Sequence, residues 1–336
     1  MRNKLLTITG ALFLVFSAGS VSADARDNDI IQVDGSSTVY PITEAVAEEF
    51  GSKSPKTKIT VGVSGTGGGF KKFCVGETDI SDASRPIKQK EIDLCKENKV
   101  DYVELPVAYD ALSVVVNPQN NWVSNITVAE LKKIWEPAAQ GKITHWNQIR
   151  ADWPNEKIYL FGPGVDSGTF DYFTEVINGE GGASRGDYTS SEDDNVLVQG
   201  ISSNKYALGY FGLAYYVENQ SKLKALGIDD GDANNGNGAQ MPTIENVVKD
   251  VYKPLARPLF IYISKNSLDT RPVVQQFVSF YMNNASELAS EVGYIRSPDE
   301  IQKLAQARLE KQVTGTVFAD NTSGNMTLAQ LMKKGL

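Results

Sequence analysis

Histidine is almost missing from this chain. One residue in 336, His145, carries an imidazole, so the commonest metal ligand and the commonest general base are both nearly unavailable. Cysteine is almost as scarce. Cys74 and Cys95 stand alone with no CxxC spacing, and no metal site or other cofactor is expected. Excess positive charge is also lacking. Lysine and arginine total 33 against 41 aspartates and glutamates, a formal net charge of −8, which argues against nucleic acid and against anionic membrane surfaces as partners. Beyond the first residues no apolar run is long enough to cross a bilayer. Neither GxxxxGK[ST] nor GxSxG occurs, so a nucleotide P-loop and the common serine-esterase elbow are not indicated.

What is present begins with a targeting pattern. Arg2 and Lys4 precede an apolar stretch over residues 5–16, and Val21, Ser22 and Ala23 form a small-residue cleavage site. Residues 1–23 are therefore expected to be a signal peptide, with no cysteine following to carry a lipid anchor. Subtracting Arg2 and Lys4 leaves 31 basic against 41 acidic residues, a net of −10 for the remaining 313. That length exceeds one core and predicts two lobes. In an oxidising compartment Cys74 and Cys95 are expected to pair, the alternative being two buried thiols.

The rest is organised around residues 61–88. Val61 and Val63 suit a strand, and Ser64, Gly65, Thr66, Gly67, Gly68 and Gly69 follow. So many glycines predict an irregular turn that brings backbone N–H groups close to a ligand. A helix starting near Phe70 would add the partial positive charge of its N-terminus. Asp82 and Ser84 lie two apart and share a strand face, and Arg85 adds a cation. The same device occurs twice more. Ser36, Ser37 and Thr38 stand just ahead of a helix with Pro41 in its first turn. Residues 162–169 precede a helical apolar pattern at Phe170, Phe173, Val176 and Ile177. One such turn is ordinary; three, split between two lobes, predict a pocket for a small oxyanion. Apolar runs over residues 105–116 and 255–263 are expected to be the strands crossing between lobes. His145 reads as a loop residue, and the acidic loop 229–240 lacks the closing glutamate of a calcium loop.

Together, residues 34–39 (DGSSTV), 64–70 (SGTGGGF), 79–86 (DISDASRP), 143–147 (ITHWN), 166–169 (DSGT) and 257–259 (RPL) resemble the phosphate-binding proteins of bacterial ABC transporters. The resemblance covers nearly all of the chain after residue 23. It implies an α/β, two-lobed periplasmic-binding-protein fold, each lobe a sheet flanked by helices, with two crossing strands as the hinge. Lobe one would comprise residues 24–110 plus 258–336, and lobe two residues 111–257. It implies a monomer in the periplasm that binds inorganic phosphate and delivers it to an inner-membrane ABC permease. An exported protein acting in signalling or at the surface is the alternative, with a serine-dependent phosphatase behind it. The implied phosphate site comprises Ser37, Thr38 and Val39; Ser64 and Thr66; Asp82, Ser84 and Arg85; and Asp166, Ser167, Gly168 and Thr169. Where one branch of the family has an arginine ahead of the third loop, this chain has Gly162, Pro163 and Gly164, and Arg85 is expected to replace it. Ser84 occupies the place of the family's proton-accepting aspartate. Asp82 is the first candidate acceptor, Asp166 the second.

Overall fold

The computed structural model describes residues 30–165, 167–319 and 326–336. The expected signal peptide and Asp166 lie outside them. In chain order the first lobe opens with β1 (Ile30–Gly35), α1 (Tyr40–Lys53), β2 (Lys58–Val63), α2 (Gly65–Phe73), β3 (Ile80–Ala83) and α3 (Gln89–Glu97). The long strand β4 (Tyr102–Val116) then leads into β5 (Asn125–Thr127), α4 (Val128–Trp135), β6 (Tyr159–Pro163), α5 (Gly168–Asn178), β7 (Thr189–Ser191), α6 (Asp194–Ser203), β8 (Ala207–Gly212), α7 (Leu213–Glu218), β9 (Lys224–Ala225), β10 (Gly227–Asp229) and α8 (Ile244–Val248). The chain returns through β11 (Ala256–Ser264) and finishes with α9 (Lys265–Thr270), α10 (Pro272–Glu291), β12 (Ile295–Arg296), α11 (Asp299–Glu310) and α12 (Leu328–Lys334).

The main sheet runs β2-β1-β3-β11-β4-β8-β6-β7. β4 is its spine. From Tyr102 to Ala111 it pairs antiparallel with β11, and from Leu112 to Val116 with β8. All fifteen of its residues are buried, as expected of a strand with both faces covered. Each half of the fold thus hangs on one continuous strand, and β11 runs beside it. Asp110 and Arg257 face each other across that pair in register. On the first-lobe sheet, α1 and α10 pack together and α2 lies against β1 and β3.

The glycine run behaves differently from expectation. Residues 65–69 are helical: α2 starts at Gly65 rather than near Phe70. The reason is space. A Cβ on Gly69 would lie 2.6 Å from Gly35 Cα and 2.8 Å from Ser81 Oγ, and one on Gly68 would lie 2.7 Å from Ser64 Oγ. The glycines let the first turns of α2 press directly onto β1 and β3, at the cost of some helix propensity. Cys74, at the end of α2, is disulfide-bonded to Cys95 in α3, which ties the two helices on that side of the sheet. Among the described residues no helix is long and apolar enough to cross a membrane.

Candidate functional site

A cavity of about 390 Å³ lies where the strand–turn–helix units converge. From the first lobe it is lined by Ser36, Ser37 and Thr38 ahead of α1, by Gly65, Thr66 and Gly67 in the first turn of α2, and by Ser84, Arg85 and Lys88 beyond β3. From the second lobe come Asp171, Tyr172 and Glu175 of α5 with Gly181, and from the shared strand pair Arg257. The N-termini of α1 and α2 have no side-chain cap. At α1 the Val39 and Tyr40 N–H groups already donate to the Ser36 carbonyl and Pro41 has none, so this helix offers a bound anion its dipole rather than free N–H groups, whereas α2 begins with Gly65, Thr66 and Gly67 at the cavity.

The expected residues divide by position. Ser37, Thr38, Thr66, Ser84 and Arg85 line the cavity. Thr66 Oγ1 accepts from the Ser84 N–H at 3.1 Å and shares a hydrogen bond with the Ser84 hydroxyl, so the second and third loops of this wall are locked together. Val39 is fully buried and its N–H donates to the Ser36 carbonyl at 3.2 Å. Ser64 is not among the lining residues. Its hydroxyl donates to Asp34, whose carboxylate also holds Lys72 at 2.6 Å. Ser167 caps α5 by accepting from the Thr169 N–H at 3.2 Å. Gly168 sits against the opposite wall: a Cβ there would lie 3.0 Å from Thr38 Oγ1. The first and third loops thus meet across the cleft, although Ser167, Gly168 and Thr169 do not line the cavity itself.

Asp82, the first candidate proton acceptor, is not a cavity residue. It is completely buried, and neither carboxylate oxygen has a hydrogen-bond partner among the described residues. Burial pushes its carboxyl up to about 8; the nearby Thr43 hydroxyl opposes this and the Asp34 charge adds to it. β3 ends at Ala83, so Ser84 lies in the bend that follows and not on the strand whose face the two-residue spacing predicts. Asp82 itself lies beside Thr43 of α1 and Tyr281 of α10, which hydrogen-bond to each other at 2.8 Å. Ser84, unlike Asp82, lines the cavity.

The carboxylates that do reach the cavity, Asp171 and Glu175, lie one helical turn apart on α5 and were not singled out in the sequence. Burial raises the Asp171 carboxyl above the usual range, the Glu175 charge adds to this, and Arg257 opposes it. The cations differ in how they are held. Arg85 is clamped by Glu91 through two bonds of 2.9 and 2.7 Å. Burial works against the Glu91 charge, but the Arg85 fork and the Lys88 N–H outweigh it and hold its carboxyl below the usual range. Arg257 donates to Asp110 at 3.2 Å and to Thr38 Oγ1 at 3.0 Å, and its guanidinium stacks 3.5 Å from the centre of the Tyr172 ring. Nothing in the local sequence RPL marks this arginine as a cavity residue; only the register of β11 against β4 places it there. His145 lies elsewhere, its ring bonded to the Thr144 hydroxyl at 2.9 Å.

Residues 20–285 match the profile of the PBP superfamily domain. Protein SphX of Synechocystis sp. is 50% identical over 315 residues, covering 94% of this chain and 92% of its own. The phosphate-binding protein PstS of Staphylococcus aureus is 34% identical over 301 residues, covering 88% of each. A crystal structure of a possible phosphate binding protein from Planctomyces limnophilus superposes with a TM-score of 0.80 at 50% identity, covering 84% of this chain and 98% of that one. With its two-part sheet hung on a shared strand, its cleft between the parts and these relatives across almost its whole length, the chain belongs to the PBP superfamily, in the group that contains SphX and the PstS phosphate-binding proteins.

Proposed function

We propose that this chain, exported to the periplasm as a monomer, captures inorganic phosphate in the cleft without chemical turnover and delivers it to an inner-membrane ABC permease. The observation that carries the reading is the convergence of two helix N-termini without side-chain caps, of α1 and α2, on a cavity lined with hydroxyls and two arginines, Arg85 and Arg257. In a chain of net negative charge, such local dipoles and hydrogen bonds are what can hold an anion. Phosphate is the ligand named for the PstS relative. Ser37, Thr38, Thr66 and Ser84 are the side chains proposed to contact it, with the α5 N-terminus at Ser167, Gly168 and Thr169 meeting it from the other lobe as the lobes close; Arg85, expected from the sequence to join them, lines the cavity with its fork held by Glu91.

Asp171 is the carboxylate we assign to the proton of hydrogen phosphate. It lines the same cavity from the opposite wall, and its raised affinity for a proton suits a group that shares one. Sulfate, which carries no proton at neutral pH, would face an unpaired carboxylate. Sites built around a hydrogen bond reject the analogue that lacks it by about 10⁴. Competition binding tests this: sulfate should fail to displace phosphate from the wild type, and Asp171→Asn should narrow the preference by at least about tenfold. An unchanged preference in Asp171→Asn removes that residue from the role. Turnover is tested separately with p-nitrophenyl phosphate. Hydrolysis by pure protein that vanishes in Ser167→Ala would replace binding with phosphatase chemistry.

A further inference from the structure

We propose that Arg257, rather than Arg85, is the guanidinium that grips the anion, with Asp110 as its positioning residue, and that this side chain ties gripping to lobe closure. The inference rests on the phosphate reading above and names the residue that gives it force. Three observations carry it. First, Arg85 has its fork occupied: both of its terminal nitrogens are bound to the buried Glu91, and one also donates to the Pro86 carbonyl. Second, Arg257 lines the cavity with Nε and Nη2 engaged by Asp110 and Thr38, while Nη1 makes no hydrogen bond among the described residues. A planar fork fixed at one edge and open at the other is preorganised for an oxyanion. Asp110, 6% exposed in its side chain, has only Arg257 to balance it among the described residues, so breaking the pair strands a charge on either side.

Third, Arg257 has contacts in both lobes at once. It sits on β11, the strand beside the shared spine. It donates to Thr38 of the first-lobe wall and stacks on Tyr172 of α5 in the second. Tyr172 is itself fixed, its hydroxyl donating to the Pro254 carbonyl at 2.6 Å just before β11. An anion that draws on this guanidinium therefore acts on a group whose remaining contacts span the cleft. That gives ligand binding the differential contact it needs to favour one arrangement of the lobes over another.

The test is calorimetric titration of phosphate into ligand-stripped wild type, Arg257→Lys, Arg257→Gln, Asp110→Asn and Arg85→Lys, with small-angle X-ray scattering of each protein at saturating phosphate. Losing one charge-assisted fork should weaken phosphate about tenfold in Arg257→Lys and about 100-fold in Arg257→Gln, with Asp110→Asn between them. Arg85→Lys should stay within about threefold of wild type, because its fork serves Glu91. The wild type should compact with phosphate, and Arg257→Gln at saturation should keep its ligand-free radius of gyration. Arg257→Lys keeps the charge and most of the volume, so it carries the answer if the glutamine variant misfolds. Wild-type affinity in both Arg257 variants, or a larger loss from Arg85→Lys than from Arg257→Lys, overturns the assignment. Full compaction of Arg257→Gln overturns the link to closure. A wild type that binds no phosphate at all defeats the functional reading itself, a result distinct from normal wild-type binding with Arg257 silent.

Discussion

On the first-lobe wall of the cleft, α1 and α2 begin without side-chain caps and present Ser37, Thr38 and Thr66 to the cavity. Across the cleft, α5 begins with Ser167 closing its own first turn and presents two carboxylates, Asp171 and Glu175. Both walls start from strand, turn and helix N-terminus, yet one ends as a surface of donors and the other brings acceptors. A bare oxyanion needs only the first. An oxyanion that carries a proton can use both, and the contrast is why the second wall bears on which anion is held. The walls also differ in rigidity. The first is locked by the Thr66–Ser84 bonds, by Asp34 holding Ser64 and Lys72, and by the disulfide behind α2. The second meets it through Gly168 and through Arg257.

The comparison breaks most severely at Gly35. Its φ is +151°, and a Cβ there would lie 2.2 Å from the Asp82 carbonyl oxygen. Gly35→Ala should cost ~4 kcal/mol in urea unfolding, because backbone on both sides must move. The next effect is removal of the Cys74–Cys95 bond, whose partners are 21 residues apart. Replacing both with serine should cost ~3 kcal/mol. If these two changes leave stability untouched, the first wall is not the rigid one.

Asp82 sharpens the contrast through pH. A carboxyl held at about 8 by burial, against an ordinary value of 3.8, contributes stability that is fully present below its unfolded value and is lost as pH rises through about 8. Asp82→Asn mimics the protonated form. It should match wild type near pH 4 and exceed it by ~2 kcal/mol above pH 9, well under the ceiling set by the full shift. Wild type and variant with parallel pH–stability curves would show that Asp82 ionises as it does in the unfolded chain. The smallest effect belongs to the second wall. Ser167→Ala removes the cap from the Thr169 N–H and should cost ~1 kcal/mol.

Much of this was legible in the sequence because it depends on local chemistry. Three strand–turn–helix units, Pro41 in the first turn of its helix, and the two apolar crossing strands all follow from spacing and residue type. The cysteine pair followed from compartment. The misreadings came from tertiary geometry. The glycine run looked irregular because glycine is a poor helix former, but here close approach to β1 and β3 decides. Asp82 is fully buried beside Thr43 of α1 and does not line the cavity. Asp171, Glu175 and Arg257 were passed over because periodicity places them on elements without saying what those elements face. A 15-residue strand shared by both lobes is what brings Arg257 beside Thr38 and Tyr172.

The most direct measurement is calorimetric titration of the ligand-stripped protein, residues 24–336, with phosphate and then with sulfate. The account predicts one phosphate per chain, bound tightly, and no heat from sulfate. Equal binding of both anions, or no phosphate heat from a folded protein, would contradict it.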